Sequence, residues 1–116
     1  MNSILTSIKK LLGITYEDTS FDDDIIMGIN STFMILRQLG VGPKEGFSIS
    51  DETTTWSDYL EDISKLELVK TYIYKKVRLM FDPPQSGIAV EALKNEIAEY
   101  EWRLNVEVDP KIDESE

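Results

Sequence analysis

Asp22, Asp23 and Asp24 stand side by side in SFDDD, a run of carboxylates of the kind that can hold calcium. A calcium loop needs acids at alternating positions, a glycine at its turn and a distal glutamate, and the spacing here supplies none of these. Helix initiation accounts for the cluster better. Asp22 is expected as the N-cap, Phe21 before it as one half of a hydrophobic staple on Ile26, and Asp23 and Asp24 at the positive end of the helix dipole. Gly40, Gly42 and Gly46 imitate a dinucleotide-binding fingerprint, but their spacing is GxGxxxG and they follow a helical pattern. The fingerprint works only after a strand, where the glycine turn aims amides at a pyrophosphate. The chain contains neither cysteine nor histidine, which removes thiolate and imidazole ligands, thiol nucleophiles and the usual neutral-pH base. No HExxH or GxSxG occurs, and the remaining carboxylates fall in caps and on solvated helix faces. No catalytic, cofactor-binding or metal-binding residue is assigned, and no enzyme activity is expected.

The charge pattern is more informative. The net charge is −10, which speaks against non-specific phosphate binding, since affinity for a duplex comes from clustered Lys and Arg. Yet residues 65–78 hold Lys65, Lys70, Lys75, Lys76 and Arg78 against Glu67 alone, a local net of +4. Such a segment is a solvated face or a docking surface for an acidic partner. Lys76 falls inside the apolar stripe of its helix, where it either snorkels to water or meets a carboxylate of another helix or subunit. Trp102 lies nearly opposite the apolar stripe of the last helix. It is either covered by the first helix or a partner-facing anchor, a role in which tryptophan is enriched.

These residues must be carried by helices. Ile4, Leu5, Ile8, Leu11 and Leu12 repeat at helical spacing after Ser3, and Gly13 ends that helix with Ile14 folding back. The two lysines Lys9 and Lys10 are too few to make it a membrane anchor. The second helix follows Asp22, with Ile25, Ile29, Phe33 and Leu36 on one face and Gly40 as its stop. Residues 39–56, LGVGPKEGFSISDETTTW, form a connection longer than compact domains usually tolerate, so it is functional or disordered. Phe47 and Ile49 alternate within it, and an extended arm or hairpin over 43–55 is expected, ordered by its partners. Thr55 and Asp58 have capping-box spacing before a short helix with Trp56, Tyr59, Leu60 and Ile63 on its apolar side. The next helix, Leu66 to Phe81, carries Val69, Tyr72, Ile73, Val77 and Met80, and FDPP ends it. Val90, Leu93, Ile97, Tyr100 and Leu104 mark the last helix, which is too short for an independent coiled coil.

The fold expected is all-α, a small bundle of about four helices. It has one long loop or β-arm between helices 2 and 3 and an extended acidic C-terminal tail. Residues 1–105 make the domain; 106–116, with five acids from Glu107 onward against Lys111, make a tail ordered only against a partner. No apolar run is long enough to span a membrane, and MNSILTSIKKLLG lacks the apolar core of a signal peptide, so cytoplasmic synthesis is expected.

The order of motifs resembles the head–tail connector, or adaptor, proteins of tailed double-stranded DNA phages and prophages. It is carried by IKKLLGI at 8–14, FDDDI at 21–25, IN at 29–30 and QLGVGP at 38–43. TW at 55–56, VKTYIYKKVRLMFDPP at 69–84 and EWRL at 101–104 follow in order. The resemblance runs from Ile4 to about Leu104, and nothing after Asn105 matches. It implies a helical virion protein that forms a ring of about a dozen copies at the phage neck. The ring would sit between the portal and a downstream stopper, neck or tail-completion protein, and genome DNA would pass through it without sequence-specific binding. No cofactor and no membrane are implied, and assembly would follow synthesis in the bacterial host cytoplasm. Candidate contact residues are then Lys44, Phe47 and Ile49 on the arm, Trp56, the basic residues Lys70, Lys75, Lys76 and Arg78, Trp102, and Val106 and Val108 in the tail. Size and acidity also fit a different class, a small regulatory module that mimics DNA and competes for a basic target.

Overall fold

The computed structural model describes residues 3–60 and 63–108. Helices α1 (Ile4–Leu12), α2 (Asp22–Gln38), α3 (Trp56–Tyr59), α4 (Ile63–Phe81) and α5 (Gly87–Val108) follow one another, and no strand occurs among the described residues. The architecture is the expected all-α bundle, with α4 at its centre and α1, α2 and α5 packed around it. α2 runs antiparallel to α4, since Phe21 meets Phe81 edge-on with ring centroids 5.4 Å apart while Gly28 lies against Val77. α5 is antiparallel to α4 as well: Tyr72 donates to Glu101 at 2.8 Å and Lys75 to Glu96 at 2.9 Å.

A helix with partners on three sides needs a wide apolar arc. Val69, Tyr72, Ile73 and Val77 supply it, each fully buried. Ile4, Leu5 and Ile8 of α1, Ile25, Ile29, Phe33 and Leu36 of α2, and Leu93, Ile97 and Leu104 of α5 close around them into one cluster. Each such side chain contributes roughly 1.5–3 kcal/mol of burial. Thr32, buried among them, satisfies its hydroxyl by donating to the Gly28 carbonyl at 2.8 Å. Met80 departs from the stripe expected for α4: it is half-exposed at the helix end.

The helix ends follow local rules. Ser3 Oγ accepts from the Thr6 amide at 3.1 Å. At the other end of α1, Ile14 N bonds Lys9 O and Gly13 N bonds Lys10 O, with Gly13 at φ 84°, a Schellman turn. Val41 to Leu36 and Gly40 to Arg37 repeat that pattern after α2. The Thr55/Asp58 capping box forms, Asp58 Oδ2 accepting from the Thr55 amide at 2.9 Å. One cap differs from expectation. Phe21, not Asp22, occupies the N-cap position of α2, without a side-chain cap bond. Asp22 is drawn away because its carboxylate pairs with Lys9 of α1 at 2.8 Å.

The long connection is present, but it is not an arm awaiting a partner. The Asn30 side chain spans both backbone groups of Ile49, accepting from its amide at 2.8 Å and donating to its carbonyl at 3.0 Å. Arg37 Nε donates to Lys44 O at 2.6 Å, and Ile4 N to Thr54 O at 3.1 Å. The Ile49 side chain is buried, and Phe47 packs edge-on against Phe33 at 5.2 Å and tilted against Tyr59 at 5.0 Å. Only an isolated bridge between Ser3 and Thr55 is sheet-like, so the hairpin expected there is absent from the described residues.

Gly42 makes the tightest approach in this segment. Its φ is +87°, and a Cβ there would lie 2.6 Å from Tyr59 Cε1. Gly42→Ala is therefore expected to cost about 2 kcal/mol, from left-handed strain plus displacement of the Tyr59 ring. Gly13→Ala, at a similar φ but in open space, should show the strain alone. Chemical denaturation of the two variants separates the contributions, and equal losses would contradict the clash.

Helix α5 runs a little further than expected. It continues through Val106 to Val108, so the extended tail expected from residue 106 does not begin there. Residues 109–116, and the side chains of Ile63 and Val108, lie outside the described residues.

Candidate assembly surfaces

The sequence-derived contact residues divide into three groups in space. The first belongs to the interior. Trp56 is 2% exposed and Ile49 is 4% exposed, and Trp56 Nε1 donates to Ser7 Oγ at 3.1 Å. Both hold the protomer together, so neither is available to a partner while the fold is intact. Phe47 is half-buried in the same aromatic group. The Tyr59 hydroxyl at its centre finds no hydrogen-bond partner among the described residues, and burial pushes it well above the usual tyrosine range. Lys44 stays exposed at the rim of the loop.

The second group is the basic face of α4, partly neutralised within the chain. Lys75 holds Glu96 and its ammonium lies 5.9 Å from the Tyr100 ring centroid. Lys70 sits 5.6 Å over the Trp56 ring and 3.8 Å from Glu67. Lys76 is half-buried, as a lysine inside an apolar stripe must be if its amine reaches water. Arg78 lines the seam between α1 and α4 beside Leu11 and Tyr74. Deeper on this side, Tyr72 donates to Glu101, and burial together with that carboxylate holds its phenol far above its ordinary range.

The third group is on the outside of α5. Trp102 is 67% exposed, so α1 does not cover it, and Val106 is half-exposed one turn later.

Among the described residues no group of three or more acids could hold a metal ion, and no helix is long and apolar enough to cross a membrane. A family model described as phage connector protein matches residues 4–111. The chain belongs to the phage connector protein family. No curated protein and no solved structure matches it.

Connectors are structural components of the virion neck, so the surfaces of this connector matter more than its hollows. Periodicity alone did not reveal several of them. Leu11, assigned to the core stripe of α1, is half-exposed, and Tyr16, Met27, Met34 and Ile88 are open to solvent. Phe21, Met27 and Met80 border an apolar groove between α2 and α4 with Gly28 and Val77 at its base. Lys9 has the reverse history. Counted only as one of two lysines too few for a membrane anchor, it is 2% exposed, with its ammonium donating to Tyr16 O at 3.2 Å and facing Asp22.

Proposed function

We propose that this connector is one protomer of a closed ring in the phage neck. The ring is seated on the portal and presents a platform to the stopper, neck or tail-completion protein that follows. Membership of the connector family carries this reading. The chemistry of the protomer supports it in two ways. A cyclic ring is built from heterologous contacts, which need two different complementary faces on each subunit. Apart from the buried Lys9, α1 and α4 carry six bases against one acid, while α5 carries five acids against two bases. A protomer of net charge −10 repeated about a dozen times also makes a negative collar, which lets DNA pass where a basic wall would grip its phosphates. The protein is then a virion component, made in the host cytoplasm and holding the genome only by enclosing it.

The test is to mix the purified protein with isolated portal and examine the product by electron microscopy and native mass measurement. The expected product is a ring of uniform copy number, coaxial with the portal. A protein that stays monomeric beside portal overturns the reading, and a strongly basic channel wall in the assembled ring overturns its electrostatic part.

A further inference from the structure

Helix α5 has two faces with helical spacing, and only one of them is used inside the protomer. Leu93, Ile97 and Leu104 point into the core. On the opposite side Ile88, Glu91, Asn95, Glu99, Trp102 and Val106 follow one another in steps of three and four, and all six are exposed. Ile88 is 86% exposed, far more than an isoleucine gains by facing water. The face is apolar at both ends and carries Glu91 and Glu99 between them, Glu99 held by Arg103 of the same helix at 2.7 Å.

A surface of opposite character lies along α1 and α4. The seam between these helices holds a groove of about 440 Å³, bordered by Lys10, Leu11, Glu67 and Lys70. A second hollow continues it past Leu11 to Arg78 and Asp82. Leu11 is 49% exposed between them, an apolar centre with cations on either side.

Resting on the ring reading above, we infer that the outer face of α5 in one copy seats on the α1–α4 seam of the next. Trp102 is the anchor against Leu11, where an indole also meets Lys10 and Arg78 at cation–π range. Glu91 and Glu99 face the lysines of the seam. Charge selects this pairing over the symmetrical ones. Two α5 faces in contact would set the unpaired Glu91 of each copy in like surroundings, and two seams, where Lys10, Lys70 and Arg78 outnumber Glu67 and Asp82, would oppose net positive surfaces, whereas face on seam brings opposite signs together. The contact is heterologous, so each copy that uses its α5 face still presents an open seam, and the chain of contacts ends only on closing.

The absence of cysteine from the chain gives a clean test. A Leu11→Cys, Trp102→Cys double variant is oxidised in the presence of portal and run without reductant, at a protein concentration about a hundredfold above the threshold of the unaltered protein, because both substitutions weaken the contact they trap. A ladder of dimers and higher multimers that collapses on reduction is expected, while a mixture of the two single variants should stop at dimers. Rings that form without the ladder overturn this contact and leave the ring standing. A ladder without rings keeps the contact and overturns the ring. Neither ladder nor ring overturns both, and dimers from Trp102→Cys alone overturn the face-on-seam pairing. Trp102→Ala, at an exposed site that leaves the fold intact, should raise the concentration needed for assembly at least tenfold; an unchanged threshold also overturns the contact.

Discussion

Deleting residues 44–54 is expected to cost the protomer its fold. A free arm could be removed without harm, but this segment is part of the core. The deletion takes away Ile49, buried to 4% exposure, and Phe47, whose loss uncovers Phe33 and Tyr59. Those side chains are worth roughly 1.5–3 kcal/mol each in burial. It also strands the Asn30 amide, which now bonds both backbone groups of Ile49, and an unsatisfied group of that kind costs about 1–3 kcal/mol. The loss comes to about 5 kcal/mol or more, comparable with the whole stability of many domains. Shortening the connection returns little, because loop-closure entropy changes only by about 0.6 kcal/mol per doubling of length. Circular dichroism and a thermal melt decide the matter: a deletion variant that melts cooperatively close to the intact protein would refute the claim. Asn30→Ala is the milder companion, expected to lose about 1–3 kcal/mol while Ile49 stays seated. It separates the tether from the packing, so that any assembly defect in it can be assigned to loop position and not to unfolding.

How much of this was legible beforehand depended on whether the cause was local. Helix stops at Gly13 and Gly40, the Ser3 cap, the Thr55/Asp58 box and the break at FDPP are set by residues within a few positions of one another. Each could be read from type and spacing. The buried faces of α2, α4 and α5 were legible for the same reason, since period fixes which side chains share a side. What period does not fix is the partner. Asn30 meets Ile49 across 19 positions, and Trp56 meets Ser7 across 49. A glycine-rich stretch between two helices looks equally loose whether or not a distant amide fastens it. The outcome was that residues 43–55 read as an arm and Trp56 as surface. Leu11 and Met80 failed differently: they lie on or beside the right stripe, but they border open grooves at the helix seams instead of filling them. Acids after Asn105 suggested the end of order, yet backbone bonding carries α5 to Val108 because continuing a helix costs less than starting one. Among the surface candidates, Trp102 was placed outward by angular count alone, and the basic character of α4 by composition. The in-chain claim of Glu96 on Lys75 was invisible to both.

The buried charge of Lys9 leads to the second large effect, which is asymmetric. Its side chain is 3% exposed, whereas that of Asp22 is 22% exposed. The pair is close, at 2.8 Å, but Asp22 Oδ1 accepts no aligned hydrogen bond, so the ammonium depends on charge proximity and on the Tyr16 carbonyl. Asp22→Asn leaves that ammonium in the interior with the carbonyl alone, the situation in which breaking a buried pair costs about 3 kcal/mol or more. Lys9→Met keeps the stem packing and removes the buried charge. The carboxylate it strands keeps Oδ1 buried, but its side chain is 22% exposed and sits in the first turn of α2, where the helix dipole favours it, so a smaller loss of about 1–2 kcal/mol is expected. Combining both changes should cost no more than Lys9→Met, because once the cation is gone the acid has nothing left to balance. In a domain of this size, 3 kcal/mol lowers the melting temperature by about 12 °C or more, well within reach of a calorimetric double-mutant cycle. Equal losses from the two single changes, or a larger loss from Lys9→Met, would mean that Lys9 is hydrated in solution and that this pair does not fasten α1 to α2. The stakes extend to assembly, because α1 forms one wall of the seam proposed to receive the neighbouring copy. Asp22→Asn should therefore weaken ring formation without touching any contact surface, and Lys9→Met should spare it.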